Sequence, residues 1–351
     1  MKIKRIIGLL LSVILALGVV AFAGCDNVGN NNNNNNNNAT PMSIKVVMPD
    51  GAPALSMAQL MKEDMQFGHD VNYQVVAAAN IKNFVTGSGE KADVALLPVN
   101  LASLLLGQGN EYKMVAAVTH GNLYVLSKNH TDAITEENAG SLLFGKTVAV
   151  VNIAAVPGLT AKATLNKLDI PYVTDEAEKS ESNVYLRAVA TGEQPAALLM
   201  QGKADYVIAP EPAVSKITTA QPAVVKVGAL HDLYGRYPQA VMVAKSSLLE
   251  SNKQLVVDIF NAMVANEAWV VENPADAATA VSEHLSEGVT PTFDASSTTA
   301  SSVLGSGIDV VPMNAEAIAE VTAYIADIIP LGGDSPVAKP FSESFFVDIT
   351  A

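Results

Sequence analysis

From Ser43 onward, short apolar runs alternate with stretches whose apolar residues recur at helical spacing. "SIKVVMP", "VNYQVVAA" and "ADVALLP" predict strands, and "APALSMAQLMKEDM" and "NIKNFVTG" between them predict helices. The same order restarts at "KTVAVVNI", with a helix at "LTAKATLNKL" and a strand at "ADYVIAP". This alternation predicts an α/β fold of parallel sheets with helices on both faces. The two halves echo each other. "GEKADVALLPVN" (89–100) aligns with "QGKADYVIAPEP" (201–212) through Lys-Ala-Asp, an apolar strand and a closing Pro, and "KVVMPDGAP" parallels "TVAVVNIAAVPG". Duplicated halves explain the echo economically, with chance similarity of short apolar motifs as the alternative. Two such lobes, face to face, make a cleft outside the carboxyl ends of their strands, where helix N-termini present free N–H groups. "HGNLYVLSKN" (120–129) and "YPQAVMVAKSS" (237–247) read as two crossover strands between the lobes. Beyond them, "LVVDIFNAMVANEAWVVENP" and "NAEAIAEVTAYIADIIP" predict amphipathic helices ended by Pro that pack back on the first lobe, with Trp269 on an apolar stripe.

Ahead of this domain lie three cationic residues (Lys2, Lys4, Arg5), an apolar run from Ile6 to Ala23, and Ala23-Gly24 before Cys25. That order predicts a secretion signal. The run is close to bilayer-spanning length; the cysteine at its end decides for a signal, because small residues before it resemble the bacterial lipobox, whose thiol is diacylated. Phe22 departs from the aliphatic residue usual there. Residues 1–24 are thus expected as a lipoprotein signal peptide and Cys25 as the lipidation site. Residues 25–42, rich in Asn, have too little apolar surface to repay chain entropy and are expected as a disordered tether.

About 310 residues remain, enough for two compact lobes. The 49% hydrophobic content is that of a globular chain, and the formal charge of −14 speaks against nucleic acid as a partner, which requires a basic face. With one cysteine in the chain, no intramolecular disulfide can form. The five histidines are scattered, so neither a metal site nor a cofactor is expected. "GSLLFGKT" (140–147) fits the phosphate-loop pattern by letter, but a strand follows it where a helix should.

"PDGAPALSMAQLM", "ADVALLPVNLAS", "THGNLYVLS", "LLMQGKADYVIAPEPAVSKI", "RYPQAVMVAKSSLLE" and "LGGDSP" resemble the extracellular solute-binding proteins of ABC importers, in the branch of nitrate, sulfonate, taurine and thiamine-pyrimidine binders. The resemblance implies a bilobal type II periplasmic-binding fold of two parallel-sheet lobes joined by two crossover strands, with lobe 1 at 43–127 and 236–351 and lobe 2 at 128–235. It implies a hinged, non-enzymatic receptor, lipid-anchored on the outer face of the bacterial cell membrane, that closes on a small solute and delivers it to a permease and its ATPase. The same fold resembles enzymes of pyrimidine and menaquinone biosynthesis, which is the alternative.

The candidate ligand-binding residues are Asp50, Gly51, Ala52, Pro53, Pro98, Asn100, His120, Asn122, Gly158, Thr160, Glu211, Tyr237 and Gln239. Several read two ways. Asp50 either accepts a hydrogen bond from solute or caps the helix that Pro53 opens, and Asn100 either touches solute or caps the following helix. Glu211 recognises a donor or holds the hinge through backbone N–H groups. Gly158 and Thr160 form an anion-binding helix start or a plain cap. With Arg236 the one guanidinium near these loops and two carboxylates among them, the set tilts towards a neutral or weakly cationic heterocycle such as an aminopyrimidine over a sulfonate or nitrate.

Overall fold

The computed structural model describes residues 40–189 and 194–351. The signal segment, Cys25 and nearly all of the Asn-rich tether lie outside the described residues. Twelve strands are described: β1 (Ser43–Pro49), β2 (Asp70–Val76), β3 (Val94–Pro98), β4 (Tyr112–His120), β5 (Leu123–Ser127), β6 (Thr147–Val150), β7 (Tyr172–Val173), β8 (Val184–Ala188), β9 (Tyr206–Pro210), β10 (Val225–Ala229), β11 (Pro238–Lys245) and β12 (Ile308–Pro312). They form two six-stranded sheets, ordered β12-β4-β11-β3-β1-β2 and β10-β5-β9-β6-β8-β7. Strands such as β1, with Val46, Val47 and Met48 fully buried, read as unbroken apolar runs because helices cover both faces.

The sheets are mixed where wholly parallel lobes were expected. β11 runs antiparallel between β3 and β4, and β5 antiparallel between β9 and β10. Each is the strand that has just crossed from the other lobe, so it enters its sheet from the opposite end. β5, expected in the first lobe, therefore belongs to the second sheet, and the chain crosses at Gly121-Asn122; the return crossing precedes β11. Sequence-equivalent strands occupy equivalent places: β3 beside β11 and β9 beside β5, each ending in Pro (Pro98, Pro210).

The shared Lys-Ala-Asp has a physical role in both lobes. Asp93 Oδ2 accepts from Lys45 N at 2.9 Å, and Asp205 Oδ2 accepts from Thr147 N at 2.9 Å. Each carboxylate thus pins the start of the neighbouring strand, β1 or β6. Asp93 further pairs with Lys245 at the end of β11. Equivalent polar ties in the two lobes favour duplication over chance.

Helices Ser246–Glu272 and Pro274–Glu283 pack on the first lobe, whose core includes Phe260, Met263 and Phe293. Trp269 lies half-buried at the edge of that core. Around "GSLLFGKT" the helix Ala139–Leu143 comes first and β6 second, the reverse of a phosphate loop. Among the described residues, no helix is long and apolar enough to cross a membrane and no group of three or more His, Cys, Asp or Glu could hold a metal ion.

Candidate functional site

A cavity of about 320 Å³ opens between the lobes at the carboxyl ends of β1, β3, β6 and β9. Its first-lobe wall carries Asp50, Gly51, Ala52, Pro53, Ala78, Pro98, Thr119, Gln239, Ala240 and Thr292, and its second-lobe wall Asn122, Leu123, Asn152, Val156, Pro157, Pro210 and Glu211. The volume falls in the range of small-molecule pockets.

Local chemistry builds each wall. β1 ends at Pro49, and Gly51 takes a φ of 112°, open to glycine, to turn the chain into a helix that Pro53 starts. Asp50 stabilises this turn: Oδ1 accepts from Gly51 N at 2.9 Å, while Oδ2 accepts from Thr292 N at 2.8 Å and Thr292 Oγ1 at 2.5 Å. Across the cavity, β9 ends at Pro210, and a cis Glu211-Pro212 peptide leads into helix Ala213–Ala220. Glu211 serves that helix. Its Oε2 accepts from Ser215 N at 3.1 Å and its Oε1 from Ser215 Oγ at 3.0 Å. Burial pushes the Glu211 carboxyl up, opposed by the Ser215 hydrogen bonds and by Lys226. Both carboxylates already hold internal donors, so the groups presenting unclaimed polarity to the cavity are the amides of Asn152 and Gln239, the hydroxyl of Thr119 and the N–H groups of the helix starts. No lysine or arginine lines the cavity among the described residues.

Eight expected residues meet there: Asp50, Gly51, Ala52, Pro53, Pro98, Asn122, Glu211 and Gln239. Asn122 also donates through Nδ2 to Ser306 O at 3.2 Å, tying the first crossing to the first lobe. Five do not join them. Asn100 sits inside helix Val99–Leu105 and donates to Val337 O at 3.2 Å, anchoring the C-terminal segment. The helix expected to begin near Thr160 begins at Val156, so Gly158 and Thr160 lie inside its buried first turns. Gly158 is needed there for packing, since a Cβ would stand 2.0 Å from Ile153 O. Tyr237 is fully buried in an aromatic cluster with Tyr234 and Tyr324. His120 faces the other side of the crossover ribbon, into a separate cavity with Tyr124, His231, Arg236 and Asp309. Successive residues of a strand point to opposite faces, and Thr119 takes the cleft side.

Ala78, Thr119, Leu123, Asn152, Val156, Pro157, Ala240 and Thr292 line the cavity without having been singled out, and Pro210 joins them as the closing proline of β9. Pro157 carried a usable signal, as a proline just inside a helix start. Thr292 carried none; it arrives from 242 residues beyond Asp50.

The rim has a latch. Lys216 of the second lobe donates to Thr292 O at 2.8 Å and lies 3.8 Å from Asp294 Oδ2. Hydrogen bonds from Ser296 and Ser297 hold the Asp294 carboxyl down at about 2, so it stays ionised. Exposed pairs are worth roughly 0–1 kcal/mol and weaken in salt. Lys216→Ala is therefore expected to leave the melting temperature nearly unchanged while raising the radius of gyration seen by solution scattering, and high salt is expected to do the same to the unmodified protein. An unchanged radius would mean that the crossovers alone set the angle between lobes.

Several solved structures share this fold. An ABC transporter structure from Parabacteroides distasonis superposes with a TM-score of 0.65 at 15% identity, over 87% of this chain and 99% of that one. The periplasmic aliphatic sulphonate binding protein SsuA from Escherichia coli gives 0.59 at 13% identity, over 84% and 89%. A mutant of DSZB in complex with biphenyl-2-sulfinic acid gives 0.58 at 13% identity, over 88% and 96%. No family model and no curated protein matches the sequence. The architecture is the bilobal type II periplasmic-binding fold, and its structural neighbours include an ABC transporter structure and an aliphatic sulphonate binding protein.

Proposed function

We propose that this chain is the solute receptor of an ABC importer, closing its interlobe cleft on a small neutral or weakly cationic molecule such as an aminopyrimidine. The observation that carries the reading is the cavity itself, walled by both lobes at the carboxyl ends of their parallel strands and lined by amides and hydroxyls without a cation. Burying an anion there would set it beside Asp50 and Glu211 with no guanidinium or ammonium in the lining to offset them. On this reading the solute passes to a permease and ATPase, and Cys25 carries the lipid that keeps the receptor at the outer face of the membrane. An enzymatic role finds less support. Among the described residues the lining holds no serine, cysteine or histidine, and the carboxylate beside Thr292, that of Asp50, is tied into the turn by the backbone N–H groups of Gly51 and Thr292.

One feature favours a sulfonate or other oxyanion instead: the start of helix Val156–Lys167 lies in the wall, where free N–H groups and the helix dipole attract negative charge. A thermal-shift screen separates the two. Cytosine, thiamine, taurine, nitrate and amino acids are tested against the protein and against Gln239→Ala. A ligand at 100 times its Kd adds about 2.7 kcal/mol, enough for a shift of several degrees. A shift with cytosine or thiamine that Gln239→Ala abolishes is the expected result; a shift confined to taurine or nitrate would overturn the choice of solute. A shift that Gln239→Ala does not reduce would place binding outside this cleft.

A further inference from the structure

We propose that Tyr324 is a positioning residue of the cleft, fixing its second-lobe wall from the first lobe through a two-step hydrogen-bond relay. The inference rests on the cleft reading above. Helix Ala315–Ile328 packs against helix Val99–Leu105 and β11 of the first lobe and reaches helix Val156–Lys167 of the second. At that contact the Tyr324 hydroxyl lies 2.7 Å from Thr160 Oγ1, and Thr160 Oγ1 donates to Val156 O at 2.8 Å. A hydroxyl has one proton to give. Since that of Thr160 goes to the carbonyl, Tyr324 is the donor to Thr160, and the chain runs Tyr324 O–H to Thr160 O–H to Val156 O. Thr160 is 0% and Tyr324 1% exposed, so water does not compete for either group.

The chain ends at the site. Val156 and its neighbour Pro157 line the cavity. The start of their helix, opened by Pro157, has no side-chain cap: Ala155 at the N-cap has no side-chain bond to give, and the first turn has no acidic residue. Tyr324 is itself held on several sides. Its ring stacks on Tyr237, at the return crossing, with centroids 5.8 Å apart and planes 23° from parallel. Tyr234 meets it edge-on at 6.0 Å and donates from its own hydroxyl to Asp327 Oδ2 at 2.5 Å, on the same helix as Tyr324. Burial pushes the Tyr324 phenol well above its usual range, so it keeps its proton. A stiff first-lobe group thus sets where the second-lobe wall stands, and the return crossing packs directly against it.

Backbone amide exchange on the full chain without ligand tests this, comparing Tyr324→Phe, Thr160→Val, their double variant and Thr160→Ser. Expected is exchange roughly fivefold faster at Leu159, Thr160 and Ala161 in the first two, the loss of one neutral hydrogen bond. The double variant should be no worse than either single one, and Thr160→Ser, which keeps the hydroxyl, should match the unmodified protein. Amides of β6 should not change. Equal acceleration in β6 would reduce Tyr324 to a general packing residue, and unchanged exchange at Leu159–Ala161 would remove the relay; either outcome overturns the proposal. Because the free protein is read, failure here is distinct from failure of the cleft reading, which the Gln239→Ala screen decides.

Discussion

Gly307→Ala is expected to destabilise the fold by roughly 3 kcal/mol, lowering the melting temperature by about 5 °C. Gly307 has a φ of +70°, a conformation that costs a residue with a Cβ about 1–2 kcal/mol. The added carbon would also stand 1.9 Å from His120 O, far inside contact distance, and the obstacle is backbone that cannot rotate aside. Relief requires moving either the start of β12 or the end of β4. Both are constrained: His120 N donates to Gly307 O at 2.7 Å, and Asn122 donates to Ser306 O one residue earlier. The strain therefore falls on the first crossing, where the lobes join. A melting temperature within about 2 °C of the unmodified protein would mean that this junction shifts at little cost, and that the crossing is softer than its hydrogen bonds imply.

The same junction marks where sequence stopped informing. Local rules located what local chemistry builds. Gly51 and Pro53 mark a strand-to-helix turn, and the closing prolines of β3 and β9 mark strand ends that face each other across the cavity. The Lys-Ala-Asp echo also points the right way, because its Asp does the same work twice within each lobe. Errors came where direction or distance mattered. His120 sits at the right end of the right strand, but alternation turns it away from the cleft that Thr119 faces. Reading Thr160 as a helix start overlooked Pro157, which had already opened the helix one turn earlier. Asn100 and Tyr237 are taken up by Val337 and Tyr324, partners from the far end of the chain that no spacing reveals. Asp50 reaches the cavity as expected, and a partner that no spacing reveals, Thr292 from the end of a long helical excursion, donates to one of its oxygens.

Acidification is expected to weaken the protein between pH 6.5 and about 4 through His120. This ring is 7% exposed, and burial, reinforced by the adjacent Arg236 guanidinium, lowers its pKa from 6.5 to about 4 against the opposing pull of Asp309. Arg236 Nη2 lies 3.2 Å from His120 Nδ1, and the guanidinium is itself paired with Asp309 and Glu320. These carboxylates approach the ring at 3.5 and 3.4 Å, but the guanidinium between them spends much of their charge, so desolvation wins. The sign follows from proton counting. Below pH 6.5 the unfolded chain protonates this histidine while the folded one does not, so the unfolded state binds more protons and gains as pH falls. The contribution is present in full above 6.5 and is lost as pH drops through about 4. A displacement from 6.5 to about 4 corresponds to as much as about 3 kcal/mol. Urea unfolding at about pH 7 and about pH 4.5 measures it, with His120→Gln as the reference that cannot titrate and carries the shared background of carboxylate protonation. The unmodified protein should lose more stability than the variant over that interval. Equal losses would mean that Asp309 and Glu320 accept a charged imidazole without penalty. Because His120 bonds Gly307 through its backbone while its ring holds Arg236 beside the return crossing, the lost stability should appear first as increased amide exchange at residues 119–123 and 235–239, before the sheets of either lobe open.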